Sequence, residues 1–446
     1  MELHAVNFLY DFAVAAALLF VAKIIRCKFR FIQHAYIPAA LLAGFLGLFL
    51  GPQFLDILPF SSEIANYPSI LIAVLFGSMF VGTRGGKMSV KSVLKGAGDT
   101  MLINGASEMM QFAVFILIGV AVLPVAFSGI NNAFGLMLPA GFVGGHGTAA
   151  AIGGVLGDAG WADASTIGQT FATVGLLGGI LLGVVLINFG ARKGWTKVIR
   201  GINELPEEML TGVVPEGKAA SLGRSTTNGV SIDSLTWHAC LVLVSVGMAY
   251  LVNEGLKIVM PGISFPTYGL ALLCGVVVQL VLKAVKLDSS VDKDVITHIG
   301  SSATDFLVVF GIASIKVSVV VQYWVPIVVL SVLGFLFVTA WLLLVSRRFF
   351  CDYWFEHGIY IFGMSTGVLA TGVILLRITD PEFRTGVLQD FGLAWIVLSV
   401  MDALLVAFAP VFVLAGQGVA FSVTLIAVSV AALIACKLMF GRKAEG

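Results

Sequence analysis

Eleven runs of apolar residues, each close to the length that crosses a bilayer, constrain this chain more than any motif in it. They fall at about 6–25, 35–59, 67–82, 100–124, 165–189, 236–257, 265–284, 304–323, 325–346, 391–414 and 417–440. A membrane helix needs about 20 such residues. Only 11% of the 446 residues are charged and 59% are hydrophobic, against about 25% charged in a soluble domain. A water-facing globule, a disordered chain and a secreted disulfide scaffold are excluded. The predicted fold class is an all-α polytopic membrane protein with about 11 transmembrane helices. The five cysteines show no CxxC spacing and suit small core positions, so no disulfide framework or structural metal site is expected. No basic segment precedes the first apolar run, which reads as a retained helix.

Lys and Arg set the orientation. With the N-terminus outside, 23 of the 26 fall on the inner side. Lys257 falls outside, and Lys316 and Arg377 lie in or near the membrane. Two further apolar stretches, about 132–158 and 357–380, are crowded with Gly, Thr and Ser. The charge bias holds only if each enters and leaves from one side, as a re-entrant hairpin. Non-helical backbone at membrane depth is tolerated where it is buried or lines a cavity, so a polar cavity between the hairpins is expected.

The chain divides into residues 1–189, a cytoplasmic linker at 190–235, residues 236–414, and an extra helix with a tail at 415–446. The linker holds 11 charged residues, 6 basic and 5 acidic, and no motif. Pro38 is followed by Leu42, Ala43 and Gly47; Pro266 is followed at the same offsets by Leu270, Ala271 and Gly275. The next helices carry Phe76-Gly77 and Phe310-Gly311. Pro38 falls at an inner helix end and Pro266 at an outer one, so the halves read as inverted repeats. Inverted repeats with broken segments at corresponding positions point to a secondary transporter.

The first hairpin contains Gly141, Gly144, Gly145, His146, Gly147 and Thr148, then three alanines. So many glycines break a helix, and the Thr-Ala-Ala-Ala run starts another. A helix start offers free N–H groups and partial positive charge, which suit a carboxylate. His146 reads either as a donor to substrate or as a brace for the loop. The second hairpin contains Gly363, Ser365, Thr366, Gly367, Thr371 and Gly372. Hydroxyls and unwound carbonyls suit Na⁺, although small residues also serve helix packing. Asp402 lies mid-helix with Ser399 on the same face. It reads as a cation or coupling site, or as the partner of a basic residue such as Arg377. Asn104, Glu108 and Gln111 share a face that lines the cavity or bridges helices. Asp11, Glu254 and Lys316 lie toward helix ends and are expected to reach water. Nothing suggests a nucleotide loop, a catalytic triad or a nucleic-acid patch, and no enzyme is expected.

The run Gly144-Gly145-His146-Gly147-Thr148 resembles the bacterial glutamate:sodium symporter family. The similarity covers most of residues 1–415, through Ile37-Pro38, the Gln111 helix, Ala172-Thr173 with Gly175, Gly178 and Gly179, and Phe265-Pro266. The resemblance implies two inverted five-helix repeats, each with a re-entrant hairpin, in a homodimer of the bacterial inner membrane. It implies an elevator-type transporter, with a scaffold domain and a moving transport domain, L-glutamate as substrate and Na⁺ as coupling ion. Substrate is then expected at Gly144, Gly145, His146, Gly147, Thr148, Gln111, Ser365, Thr366 and Arg377. Na⁺ is expected at Thr173, Gly363, Gly367, Thr371, Ser399 and Asp402. The second half departs from the family's pattern. Its hairpin lacks a Pro and has Ser365 for a Gly, and Leu375 stands for an Asn. Phe112 stands for the Asn that follows the family's Gln. The late carboxylate sits at Asp402, one turn beyond its usual place at Ser399. The alternatives are another anion or amino acid, such as a dicarboxylate, on the same fold, or coupling to H⁺ through Asp402. A channel or an intramembrane enzyme is a reading from another class, though His146 has no evident nucleophile partner.

Overall fold

A computed structural model of the chain describes residues 5–34, 37–83, 90–197, 211–219, 221–259, 267–380 and 384–440. Phe265 and Pro266 lie outside them, as do Arg84, Lys87, Arg200, Arg442 and Lys443. The described regular structure is helical throughout. The helices are α1 (Ala5–Lys28), α2 (Arg30–His34), α3 (Ala39–Leu50), α4 (Tyr67–Ser78), α5 (Val90–Leu117), α6 (Leu123–Ala126), α7 (Met137–Phe142), α8 (Gly145–Asp158) and α9 (Ala164–Arg192). There follow α10 (Ser234–Val259), α11 (Thr267–Ala284), α12 (Lys293–Ala313), α13 (Val317–Gln322), α14 (Trp324–Ala340), α15 (Arg347–Phe349), α16 (Trp354–Thr379), α17 (Val387–Leu414) and α18 (Gly418–Phe440). Among the described residues nine helices are long and apolar enough to cross a membrane, and two more, α3 and α4, are apolar but shorter. Together they overlap the eleven runs.

Two boundaries differ from the sequence reading. The run 304–323 belongs to a helix that starts at Lys293 and ends at Ala313, followed by a turn and the short α13. The start is set by Asp292, whose side chain accepts from the N–H groups of Asp294 and Val295. Hydropathy alone misses that cap, because polar Thr and Ser residues fill the first turns. The run 35–59 is helical only over Ala39–Leu50; past Gly51 the chain is irregular, with Asp56 at φ 51°.

The chain forms two compact units, each drawing on both sequence halves. The first comprises Met1–Ile24, Pro38–Lys87 and Val213–Ile315. Here Asp11 is fully buried and accepts hydrogen bonds from Ser61 N (2.8 Å), Ser61 Oγ (2.5 Å) and Tyr67 OH (2.8 Å). Three donors replace water, so the carboxylate stays inside instead of reaching a helix end as expected. Gly47 brings α3 against α12, where an added Cβ would lie 3.0 Å from Ala313 Cβ. Gly275 brings α11 against α4, where a Cβ would lie 2.6 Å from the Gly77 carbonyl oxygen. Lys293 Nζ donates to the carbonyls of Ser78 (3.2 Å), Met79 (2.6 Å) and Val81 (3.0 Å), closing the C-terminal end of α4. Linker residues join this unit as well: Arg224 N donates to Asp292 Oδ2 and Thr226 Oγ1 to the Ser290 carbonyl.

The second unit comprises Ile25–Ile37, Met88–Gly212 and Lys316–Gly446. In it α18, the extra helix, runs antiparallel along α5: Gly98 abuts Phe440, and Gly418 abuts Val120 and Ile116. Buried Ile103, Ala106, Tyr360, Phe391 and Cys436 share one apolar cluster. Every residue expected to bind substrate or Na⁺ belongs to this unit.

Candidate functional site

The glycines of the first segment end one helix and start the next. α7 stops at Phe142, Val143 and Gly144 turn, and α8 begins at Gly145 with φ +64°. That φ favours glycine. At Gly144 an added Cβ would sit 2.2 Å from Thr148 Cβ, so the turn closes only over a hydrogen. No side chain caps the start of α8. A helix start leaves its first N–H groups outside the intrahelical ladder.

His146 is buried and bonded. Its Nε2 lies 3.0 Å from Thr173 Oγ1, and its carbonyl accepts from Gln169 Nε2 at 3.0 Å. The Thr173 hydroxyl gives its proton to the Gln169 carbonyl (2.9 Å), so Nε2 of His146 is the donor to Thr173. His146 therefore braces the turn against α9. Gln169 was not singled out in the sequence; a Gln inside an apolar helix was the available signal.

The second segment breaks in mid-course. α16 is interrupted at Gly367 (φ −154°, ψ 37°) and Val368 (φ 64°, ψ 177°). Its two legs, 354–366 and 369–379, lie side by side: a Cβ at Gly363 would be 2.8 Å from Gly372 Cα, and one at Gly372 2.8 Å from the Tyr360 carbonyl. Thr366 Oγ1 donates to the carbonyls of Phe362 (2.9 Å) and Gly363 (3.2 Å), and Thr371 Oγ1 donates to the Gly367 carbonyl. Gly175 and Gly179 on α9 make room for this leg: added Cβ atoms would meet Thr366 O at 2.4 Å and Thr366 Oγ1 at 2.2 Å.

The two turns touch. A Cβ on Gly145 would come 2.5 Å from Val368 Cγ1. Beside them, buried Gln111 on α5 donates from Nε2 to the Ser365 carbonyl at 3.2 Å, while its Oε1 finds no hydrogen-bond partner among the described residues. Asn104 Nδ2 reaches Met364 Sδ at 3.5 Å. The geometry thus gathers Gln111, Gly144, Gly145, His146, Thr148, Thr173, Gly363, Ser365, Thr366, Gly367 and Thr371 around one pair of turns. Gly147 lies in the first turn of α8, half-buried. Arg377 does not join them; it lies in the last turn of α16, about 14 Å along the leg from Val368 at 1.5 Å per residue.

Ser399 and Asp402 lie on α17, which α5 approaches at Gly105, where a Cβ would be 3.2 Å from Leu398 Cδ2 and 3.3 Å from Met401 Sδ. One turn on, Glu108 is only 2% exposed, and its carboxyl shares a side-chain hydrogen bond with that of Asp402. Asp402 is its charged neighbour, near enough for each carboxyl to act on the other. The shared face of Asn104, Glu108 and Gln111 was legible in the sequence; the helix it meets was not. Among the described residues no group of three or more His, Cys, Asp or Glu side chains is arranged to hold a metal ion.

The family model for sodium/glutamate symporters matches residues 4–354. The match includes the first segment and Gln111, and ends where α16 begins. No curated protein matches the chain.

Proposed function

The chain belongs to the sodium/glutamate symporter family, and from that premise we propose that it is a sodium-coupled symporter of L-glutamate working by alternating access. The observation that carries this reading is the meeting of two broken helical segments at their turns, Gly145 against Val368. α8 has 14 residues, about 21 Å of helix, and neither leg of α16 is longer, against about 30 Å of hydrocarbon. Segments that short suit re-entrant hairpins whose tips meet within the bilayer. The N–H groups at Gly144, Gly145, His146, Gly147 and Thr148 hold a substrate carboxylate, and Gln111, Ser365 and Thr366 contact the rest of the molecule. Thr371 and Asp402, with Thr173, Gly363, Gly367 and Ser399 around them, offer oxygen to Na⁺. Na⁺ offsets negative charge in the loaded site and lowers the cost of carrying it past an apolar barrier.

The second compact unit, which holds all these residues, is the moving body, and the first is the scaffold through which two copies associate. The N-terminus faces outward and the C-terminus the cytoplasm of a bacterial inner membrane. The two halves are inverted repeats. Support comes from Gly47 and Gly275, equivalent in the repeat, each seating its helix on the following helix of the other half.

Uptake into proteoliposomes under imposed gradients tests the reading. An inward Na⁺ gradient should concentrate labelled glutamate, and unlabelled glutamate should compete better than dicarboxylates lacking the amino group. Accumulation of a different solute would remove the substrate assignment. Equal uptake driven by a pH gradient without Na⁺ would remove the ion assignment.

A further inference from the structure

We propose that the exposed face of α12 is one wall of a water-filled vestibule, open to the cytoplasm, through which the anionic solute passes; this passage rests on the symport reading and the orientation given above. α12 (Lys293–Ala313) is long and apolar enough to cross a membrane. Ile296, Gly300, Ala303 and Leu307 recur at helical spacing on its buried face. Gly300 seats that face on α4, where an added Cβ would lie 2.6 Å from Ser78 Oγ. The opposite face carries Asp294, Thr297, His298, Ser301, Ser302 and Asp305, and every exposed residue of α12 is one of these polar six. In the same unit α10 and α11 do the reverse and expose Leu243, Val244, Leu251, Leu273, Val277 and Leu280. Lipid accepts the surface of those two helices and rejects that of α12.

The depth of this stripe selects water. Asp305 lies about 18 Å along the helix from Lys293 at 1.5 Å per residue, against about 30 Å of hydrocarbon. Its short side chain cannot reach the headgroups from there. Among the described residues no hydrogen bond or ion pair holds the side chains of His298, Ser302 or Asp305, so the carboxylate depends on water for its solvation. Past Asp305 the rest of α12 is covered, and the stripe stops inside the bilayer. At its cytoplasmic end it opens into a cavity of about 590 Å³. His298 and Ser302 line that cavity, together with Arg224 and Ser225 of the linker and Asp233 before α10. Asp233 Oδ1 accepts from Thr236 N at 3.1 Å and so is engaged in capping α10. The Arg224 guanidinium has no partner among the described residues. A positive charge at the mouth raises the local concentration of an anionic solute.

Cysteine labelling of the full-length protein in inside-out vesicles tests this. Ser301→Cys and Ser302→Cys are placed singly in a chain whose five native cysteines are replaced by serine, with exposed Leu280→Cys as the lipid-facing control. A charged, membrane-impermeant thiol reagent should modify both stripe positions about tenfold faster than the control or more, since the thiolate reacts where water reaches it. Attachment at Ser302→Cys should then block Na⁺-driven glutamate uptake. Stripe cysteines no more reactive than the control, or full uptake after complete modification of Ser302→Cys, would overturn the proposal. If the cysteine-free chain does not fold, wild-type protein in lipid nanodiscs carries the test. A water-soluble carbodiimide with an amine should label Asp305 and spare Asp11, which is buried under three donors; equal resistance of the two would overturn the proposal. Labelling as expected in a protein that accumulates no glutamate would overturn the symport reading alone.

Discussion

Val368 holds the most constrained backbone in the candidate site. Its φ of 64° with ψ of 177° falls in a region that glycine occupies almost alone, and a β-branched side chain there costs about 1–3 kcal/mol. Its Cγ1 is also the atom that fills the space over Gly145. The strain is held because the legs of α16 are locked on either side by Thr366, Thr371 and the Gly363–Gly372 approach. Comparing two substitutions isolates it, since both remove the γ-methyl groups and only alanine keeps a Cβ at this φ. Val368→Gly should melt at a higher temperature than Val368→Ala, with a difference of about 1 kcal/mol or more. Ordinary propensity has the opposite sign, and a Val368→Ala protein at least as stable as Val368→Gly would show that the turn is not strained. Little of this was legible beforehand. The glycines announced a break, but nothing in the sequence said that the break falls on the valine after Gly367.

The helical elements were legible to different depths. Long apolar runs gave their own spans, because hydropathy over about 20 residues is what a bilayer selects. The start of α12 was missed by eleven residues, because an N-cap at Asp292 outweighs the polar residues behind it. The broken segments were legible as breaks through Gly, Ser and Thr. Their mutual contact was not, since periodicity assigns residues to a face without naming the neighbour of that face. The same limit hid the pairing of Glu108 with Asp402 and the brace from His146 to Thr173. Where three helix ends meet, Asp390 in the first turn of α17 lies 3.9 Å from His357 on α16 and near Asp99 on α5. Burial, and then the charge of Asp99, push its carboxyl up to about 6. A raised folded-state value favours the protonated form. Its stabilisation is complete below the ordinary carboxylate value and is lost as pH rises through about 6. Asp390→Asn should thus match the wild type in melting temperature near pH 4 and exceed it at pH 7. A gap that is constant across this range would contradict the assignment.

At the scale of the molecule, the compact units do not follow the sequence halves. Each unit takes segments from both, so the polar stretch at 190–235 divides the sequence into halves that do not coincide with the units. Charge bias and the repeat in sequence predicted two related halves; that all the candidate site residues would fall into one interleaved unit became visible only from the contacts. Because one unit holds both helix breaks and Asp402, the central claim is that Na⁺ and glutamate bind with mutual reinforcement. Linkage requires reciprocity: if Na⁺ tightens glutamate by some factor, glutamate tightens Na⁺ by the same factor. The direct measurement is equilibrium binding of labelled glutamate to the purified protein across a range of Na⁺ at constant ionic strength, with the converse ²²Na⁺ titration at zero and saturating glutamate. Both affinities should rise, and by equal factors. Glutamate binding of the same affinity with and without Na⁺ would contradict it.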